Sequence, residues 1–199
     1  SKIANSKGIK TISFFFNYKK SIEIKKKFKP NLIFARNVIP HVSNLRSVAR
    51  GISNLCNNDT KLAIEFHYAG NIYKELQYDS IYHEHIFYFS LKTIMNIFSK
   101  YELYPFDVFK SPISGGSLVL LFSKKKVKFS KKLTEILKKE NTKNINSLKS
   151  WKKFAFRVEE HKNRLIKTLK SYSGGQKVII YGASARGSTM LNFLNLDDS

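Results

Sequence analysis

The sequence predicts an α/β protein built on a mostly parallel sheet that one antiparallel strand closes. Short apolar runs of strand length alternate with stretches whose apolar residues recur at helical spacing, which is the rhythm of repeated strand-helix units. Two later apolar runs, 106–109 and 117–123, are separated by Pro112 and the pair Gly115-Gly116, which favours a hairpin-like pair. With 199 residues, 42% of them hydrophobic, the chain can bury one sizeable core.

The first half of the chain supplies the repeated units. A short helix ends at Gly8. Strands are predicted over 9–16, 31–35 and 62–67, and helices over 18–28 and 44–54, the second capped by Ser43 or Asn44. A long polar and aromatic connection follows, and a helix capped by Ser90 runs over 91–101. Connections of this length inside compact domains are uncommon and are often functional.

The second half changes in character beyond Lys124. Lysine-rich helices are predicted over 133–140 and 150–169. A strand over 176–181 then leads through Gly182 into a helix that reaches Leu194. A glycine-rich turn between a strand and a helix can cradle phosphate, because main-chain N–H groups and the helix dipole point at the anion. The third glycine of a dinucleotide fingerprint is missing, so a plain strand-to-helix turn fits equally well.

The charge of the chain is strongly positive. Lysine and arginine number 36 against 14 acidic residues, for a net charge of +22, which suits nucleic acid or an anionic substrate. The lysines are dispersed among asparagine and isoleucine in several segments, and neither a zinc finger nor an RNA-binding motif accompanies them. We therefore predict that nucleic acid is not the partner, and keep a basic nucleic-acid-binding module as an alternative.

Cysteine usage and hydropathy indicate the cellular compartment of the protein. The single cysteine, Cys56, excludes an internal disulfide framework. No apolar run approaches the roughly 18 to 20 residues that a membrane span needs, and the first residues lack the pattern of a signal peptide. We expect a soluble cytoplasmic protein with no membrane partner and with no metal site of its own.

The segment Tyr82-His83-Glu84-His85 concentrates groups that transfer protons. Two imidazoles, a carboxylate and a phenol occupy four consecutive positions between apolar residues that are typical of a core. Histidine has an unperturbed pKa near neutrality, and a nearby carboxylate can orient its ring. The competing interpretation is a solvated polar segment ahead of the helix that begins near Ser90.

Polar residues also follow the second predicted strand, in the order Arg36, Asn37 and His41. In open α/β sheets, ligands bind at the carboxyl ends of the strands, so these residues are candidates for a site. Glu65 lies within the third strand. We expect it to lie at the open end of that strand or to be paired, because burying an unpaired carboxylate is costly.

Five collinear blocks together resemble the S-adenosylmethionine-dependent sugar C-methyltransferases. These enzymes act on nucleotide-linked keto-deoxysugars, typically dTDP-4-keto sugars that are methylated at C3. The blocks span nearly the whole chain, and they are 35–41, Glu65, 79–90, 115–118 and 181–187. The Tyr-His-Glu-His segment is the most specific of them.

The resemblance implies a class I methyltransferase sheet that is incomplete at its N-terminal side and is followed by the start of a second, Rossmann-like domain. It divides the chain into part of the methyltransferase domain (1–125), a helical connecting segment (126–175) and the beginning of a nucleotide-sugar-binding domain (176–199). Members of the family also carry an N-terminal zinc-binding cysteine cluster and a glycine-rich cofactor loop. Neither occurs in these residues, so we expect part of a larger enzyme, with zinc only in the missing region.

The resemblance also implies roles for the histidine segment. His85 matches the base that removes a proton from the carbon next to the ketone, and Tyr82 and Glu84 match residues that orient the base or the sugar. His41 resembles a further active-site histidine, whereas His83 is expected to face away.

The remaining matches imply binding residues for S-adenosylmethionine and for a nucleotide-linked sugar. Cofactor-side candidates are Ala35, Arg36, Asn37, Val38 and Phe15. Substrate-side candidates are Tyr88, Gly115, Gly116, Ser117, Ser184 and Arg186, the last two for phosphate, which the forked donors of arginine suit. Two positions depart from the family pattern, because Ser114 stands where a histidine is expected and His67 where a proline is expected.

Two further alternatives stay open. A methyltransferase of the same fold could act on another small acceptor, since the fold does not fix the substrate. A nucleotide-sugar-binding protein without catalysis would carry the same blocks.

Overall fold

The computed structural model describes residues 1–172, 177–182 and 184–196. Its strands are β1 (Leu32–Arg36), β2 (Lys61–His67), β3 (Tyr104–Ser111) and β4 (Ser117–Ser123). They form one sheet in the order β1-β2-β4-β3, in which β1 is parallel to β2 and β4 is antiparallel to both of its neighbours. Three strands therefore run in one direction and β4 in the other, which confirms the predicted α/β class and the closing antiparallel strand.

The helices follow the predicted order, with one unpredicted helix, Ala69–Glu75, within the long connection after β2. They are α1 (Lys2–Ser6), α2 (Tyr18–Lys27), α3 (Leu45–Leu55), α4 (Ala69–Glu75), α5 (Leu91–Ser99), α6 (Lys131–Thr142), α7 (Leu148–Lys170) and α8 (Ala185–Leu194). Asn44 caps α3, and Ser90 caps α5 in a capping box with Thr93. In the described part of the chain, no helix has both the length and the apolar character needed to cross a membrane.

Two apolar clusters hold these elements together. The larger lies where α3 and α5 meet the sheet and contains the fully buried Leu62, Ile64 and Phe66 of β2. The smaller joins α4 to the long helix α7 through Ile72, Phe154 and other residues, and α8 packs against it. This second cluster includes Ile72 and Tyr78 of the connection between β2 and α5, which carries the histidine segment.

Two predicted strands are wrong. The run 9–16 forms no strand, and its first amide groups bond back to α1 instead, as Ile9 N–H does to Ala4 O over 2.9 Å. In the second run Gln176 lies outside the described residues, and 177–181 forms no strand. Ile179 and Tyr181 there are 86% and 104% exposed. Both runs have the apolar composition of a strand, but neither pairs with a neighbouring strand, and pairing is what stabilises one.

The long connection from β2 to α5 is more ordered than an open loop. It contains α4, a single 3₁₀ turn over Tyr78–Ser80, and an isolated bridge between Tyr68 and Phe89. Its two ends therefore lie side by side, and residues 78–88 form a loop that is held at both ends. We refer to residues 78–88 as the histidine loop.

Candidate active site

The carboxyl end of β1 positions the first histidine of the site. Asn37 adopts the left-handed region, with φ of 49°, and its N–H donates to Glu65 O over 3.0 Å. The chain then turns through the 3₁₀ segment Ile39–His41, in which Ile39 is 1% exposed. His41 is thereby held at the edge of the sheet where the parallel strands end.

The histidine loop packs directly on this turn. Pro40 O accepts hydrogen bonds from the N–H groups of Ile86 and Phe87, over 3.0 and 3.2 Å. His41 Nδ1 lies 2.8 Å from Glu84 O. Residues 43 to 47 positions apart in sequence are thus brought together by hydrogen bonds to main-chain carbonyl oxygens.

His85 lies at the centre of the loop, and 8% of its surface is exposed. Its ring meets that of His41 edge to face, with centroids 4.6 Å apart and planes at 69°. The ring of Tyr82 lies 5.0 Å away and that of Tyr88 5.9 Å away. The structure therefore brings together three of the four predicted catalytic side chains.

Glu84, the fourth, contacts the site through its main chain. Its side chain is exposed, and it is the carbonyl oxygen that bonds to His41. A carbonyl oxygen can only accept, so His41 carries its proton on Nδ1, and a neutral His41 presents Nε2 as an acceptor. His83 is exposed, as predicted.

The environment of His85 favours the neutral imidazole. Burial lowers the pKa of His85, and the neighbouring His41 and His67 lower it further, while Glu84 acts in the opposite direction. The pKa therefore lies below its usual value near 6.5. A neutral imidazole is the form that can accept a proton.

Tyr88 holds the loop from inside. Its hydroxyl accepts from Tyr82 N–H over 3.1 Å and lies 3.2 and 3.3 Å from the carbonyl oxygens of Ser80 and Tyr82. These contacts close the loop around His85. Tyr88 was predicted as a substrate contact, and it also lines a cavity of about 430 Å³ next to Ser90 and Trp151.

A buried polar chain that was not predicted runs from β2 to the glycine turn. His67, 4% exposed, bonds through Nε2 to Gln77 Oε1 over 2.8 Å. Gln77 Nε2 donates to Glu75 Oε2 and to Gly115 O, both over 2.8 Å. Because both amide hydrogens are used on acceptors, Gln77 Oε1 must accept, and His67 Nε2 is protonated. In the sequence, the sign of this polar chain is His67 itself, which stands where the family pattern has a proline.

The turn that contains Gly115 and Gly116 needs both glycines. Their φ angles are 78° and 111°, and a Cβ on Gly116 would collide with the amide of Asn71. That amide donates to Gly116 O over 3.0 Å. Ser117, the third predicted residue of this turn, is buried, and its hydroxyl donates to Ile113 O.

Arg186 reaches the histidine loop from the first turn of α8. Its Nε and Nη2 donate to the two carboxylate oxygens of Asp79 over 2.7 and 2.9 Å, in a bidentate pair. Ser184, the other predicted phosphate residue, caps α8 by accepting from Gly187 N–H. The chain thus uses both side chains for internal contacts.

The predicted cofactor side surrounds a larger cavity, of about 950 Å³. Four of the five predicted residues line it together with His41, and they are Phe15, Ala35, Asn37 and Val38. Arg36 instead pairs with Glu65, with Nε 3.0 Å from Oε2. Ser111 donates to the other oxygen of Glu65 over 2.7 Å. Glu65 is therefore paired, which was one of the two possibilities expected for it from the sequence.

The chain is similar in sequence to known C-methyltransferases. Residues 112–199 match the family model of the C-methyltransferase C-terminal domain. The chain is also 28% identical over 193 residues to the C-methyltransferase NovU of Streptomyces niveus, which covers 95% of the chain and 46% of NovU. The chain is thus similar in sequence to a C-methyltransferase along nearly its whole length. The predicted resemblance is thereby confirmed, and the chain spans about half the length of this C-methyltransferase.

Among solved structures, the YcgJ protein of Bacillus subtilis aligns with 63% of the chain and 76% of its own length. The sequence identity is 12% and the TM-score 0.39. The segment that matches the C-methyltransferase model contains the glycine turn, α7 and Arg186. The histidine loop precedes this segment. It lies within the region similar to NovU, because that region covers 95% of the chain.

Proposed function

We propose that the chain forms the acceptor-activating part of an S-adenosylmethionine-dependent C-methyltransferase that acts on a nucleotide-linked keto-deoxysugar. The observation that carries the proposal is the buried, neutral His85 in edge-to-face contact with His41. A base of this kind is needed because a carbon next to a ketone becomes nucleophilic only after it loses a proton.

In the proposed step, His85 takes the proton from the carbon next to the ketone, and the electron pair of the C–H bond moves to form an enolate. The developing negative charge on oxygen needs a donor nearby. The phenol of Tyr82 can supply that donor, because its ring lies against that of His85, with centroids 5.0 Å apart. His41 is fixed by its bond to Glu84 O and keeps its ring against that of His85.

The cavity of about 950 Å³ has the character of a nucleoside site. It has aromatic and aliphatic walls, including Phe15 and Val38, and its volume lies in the range typical of small-molecule sites. In the described part of the chain, Asn37 Oδ1 is a buried oxygen without a hydrogen-bond partner, so it could accept from an amine or a hydroxyl. S-adenosylmethionine would supply an electrophilic methyl group. Phe15, Ala35, Asn37 and Val38 are the residues proposed to hold it.

The decisive experiment measures methyl transfer to a dTDP-4-keto-deoxysugar for the protein and two histidine variants. We expect His85→Ala to lower kcat by about 100- to 10,000-fold, the usual contribution of a general base. His83→Ala is the matched control, because His83 is two positions away and exposed. Near-normal turnover of His85→Ala would contradict the role of His85. Transfer to another acceptor alone would identify the alternative methyltransferase.

A further inference from the structure

A third cavity, of about 760 Å³, lies beside the glycine turn and is distinct from the one beside β1. Lysines from three elements line it, and they are Lys74 of α4, Lys110 of β3, and Lys139 and Lys143 at the end of α6. These positions span 70 residues of sequence, so only the fold brings them to one cavity. We refer to this cavity as the lysine cavity.

The acidic residues in the wall do not balance these charges. Glu140 is 1% exposed, and its carboxylate accepts four hydrogen bonds, from Tyr68 OH, Leu91 N–H, Lys92 N–H and the amide of Asn146. Its charge is therefore satisfied at the N-terminus of α5. Glu75 lies 3.5 Å from Lys74 and offsets that lysine alone. Within the described ranges, Lys110, Lys139 and Lys143 have no carboxylate within ion-pair distance.

The neutral polar groups of the wall are already used. Asn71 donates to Gly116 O, Ser117 to Ile113 O, and Ser111 to Glu65. The ammonium groups are thus the donors left for a ligand. Lysine ammonium groups bind phosphate as compact point charges.

The helix dipole accounts for part of the arrangement. Lys74, Lys139 and Lys143 lie at the carboxyl ends of α4 and α6, where positive charge is favourable. Lys110 lies on a strand and has no such reason to be there. The dipole also does not explain why the four side chains border one cavity.

We propose that the lysine cavity binds a small phosphate-bearing anion, with Lys110, Lys139 and Lys143 as its charge partners. A volume of about 760 Å³ suits a small molecule rather than a nucleic acid strand. Gly116 and Ser117, which the sequence resemblance associates with substrate, form part of its wall. Assigning the anion to the diphosphate of a nucleotide-linked sugar rests on the proposed function, whereas phosphate binding itself does not.

The test uses calorimetric titration of the protein with inorganic pyrophosphate at constant ionic strength. The variant Lys139→Gln/Lys143→Gln removes two charges from the cavity. The matched control, Lys26→Gln/Lys27→Gln, removes two exposed lysines from the last turn of α2, which line none of the three cavities described above. We expect the cavity variant to weaken pyrophosphate binding at least tenfold and the control less than twofold.

Two results would overturn the inference. One is an equal loss of affinity in both variants, which would indicate general attraction to a basic surface. The other is a protein that does not bind pyrophosphate. Unfolding temperatures of both variants check that the fold is intact.

A parallel titration with thymidine diphosphate identifies the source of the phosphate. Tighter binding than pyrophosphate, lost in the same cavity variant, would support the nucleotide assignment. Thymidine diphosphate binding that the cavity variant leaves unchanged would contradict that assignment. Neither titration requires methyl transfer, so failure of the proposed reaction and failure of the lysine cavity give different results.

Discussion

Two glycine-containing segments, the Gly115-Gly116 turn and the segment that contains Gly182, differ sharply in how the fold holds them. The sequence resemblance associates both with substrate. At the Gly115-Gly116 turn, Asn71 and Gln77 each donate a hydrogen bond to a glycine carbonyl. At Gly182, a Cβ would meet no atom within 4 Å, and the preceding residues are exposed. The first segment is built into the fold through a buried polar chain, whereas the second meets the site through Arg186.

The segments differ in the contacts that fix their positions in the fold. The glycine turn is tied to the buried His67 through Gln77. The histidine loop is tied to Pro40 by main-chain bonds and to His41 by the bond between its ring and Glu84 O. The C-terminal segment is joined to the histidine loop by side chains, through the Asp79–Arg186 pair and a ring contact between Tyr78 and Phe193. A residue can therefore resemble a ligand-binding residue in sequence while acting in the structure as an internal tie.

The largest expected effect comes from Gly116→Ala. The new Cβ would displace the Asn71 amide and force alanine into a φ of 111°, so the free energy of unfolding should fall by about 3 kcal/mol. Gly182→Ala, which also has a positive φ of 125°, is the matched control. Because residues 177–181 are exposed and the new Cβ would meet no described atom within 4 Å, we expect a loss below about 1 kcal/mol. Urea unfolding measures both, and equal losses would contradict the difference between the two segments.

An intermediate effect is expected from reversing the Asp79–Arg186 pair. Arg186→Asp places two carboxylates together, and the double variant Asp79→Arg/Arg186→Asp restores opposite charges. The two side chains are 26% and 37% exposed, so solvent screens the pair and the coupling free energy should be about 1 kcal/mol.

The exposed pair of Lys20 and Glu23 is the control for that cycle, since its charged atoms are also 2.9 Å apart. We expect coupling of only a few tenths of a kcal/mol, roughly 0.3, for this pair. Coupling as weak between Asp79 and Arg186 would show that this pair does not hold the C-terminal segment against the histidine loop. Failure of the double reversal to recover stability would show the same.

The sequence predicts the elements whose signals are local. Asn44 and Ser90 were expected to cap helices, and both do so by accepting hydrogen bonds three residues on. Strands β1, β2 and β4 lie within about a residue of their predicted ranges. The runs 9–16 and 177–181 have similar composition but no partner strand, and pairing is a property of the whole fold rather than of the run.

The site was predictable as a set of residues and less so as a set of contacts. The order of the motifs associated His41 with Tyr82 and His85, and their rings do meet. That Glu84 contributes its carbonyl oxygen could not be read from side-chain types, because every residue has one. The pair of Asp79 and Arg186 spans 107 positions, and the lysine cavity joins three separate elements. Such contacts depend on how the helices lie on the sheet.

The central claim is that neutral His85 removes a proton from the carbon next to a ketone. The most direct measurement follows deuterium exchange at that carbon of a dTDP-4-keto-deoxysugar in D₂O, without S-adenosylmethionine, as a function of pH. Because the pKa of His85 is lowered by burial, the rate should fall as the pH decreases, with its midpoint below pH 6.5. His85→Ala should show no catalysed exchange and His83→Ala should match the unmodified protein. Equal exchange in the protein and in His85→Ala, or exchange in neither, would contradict the claim.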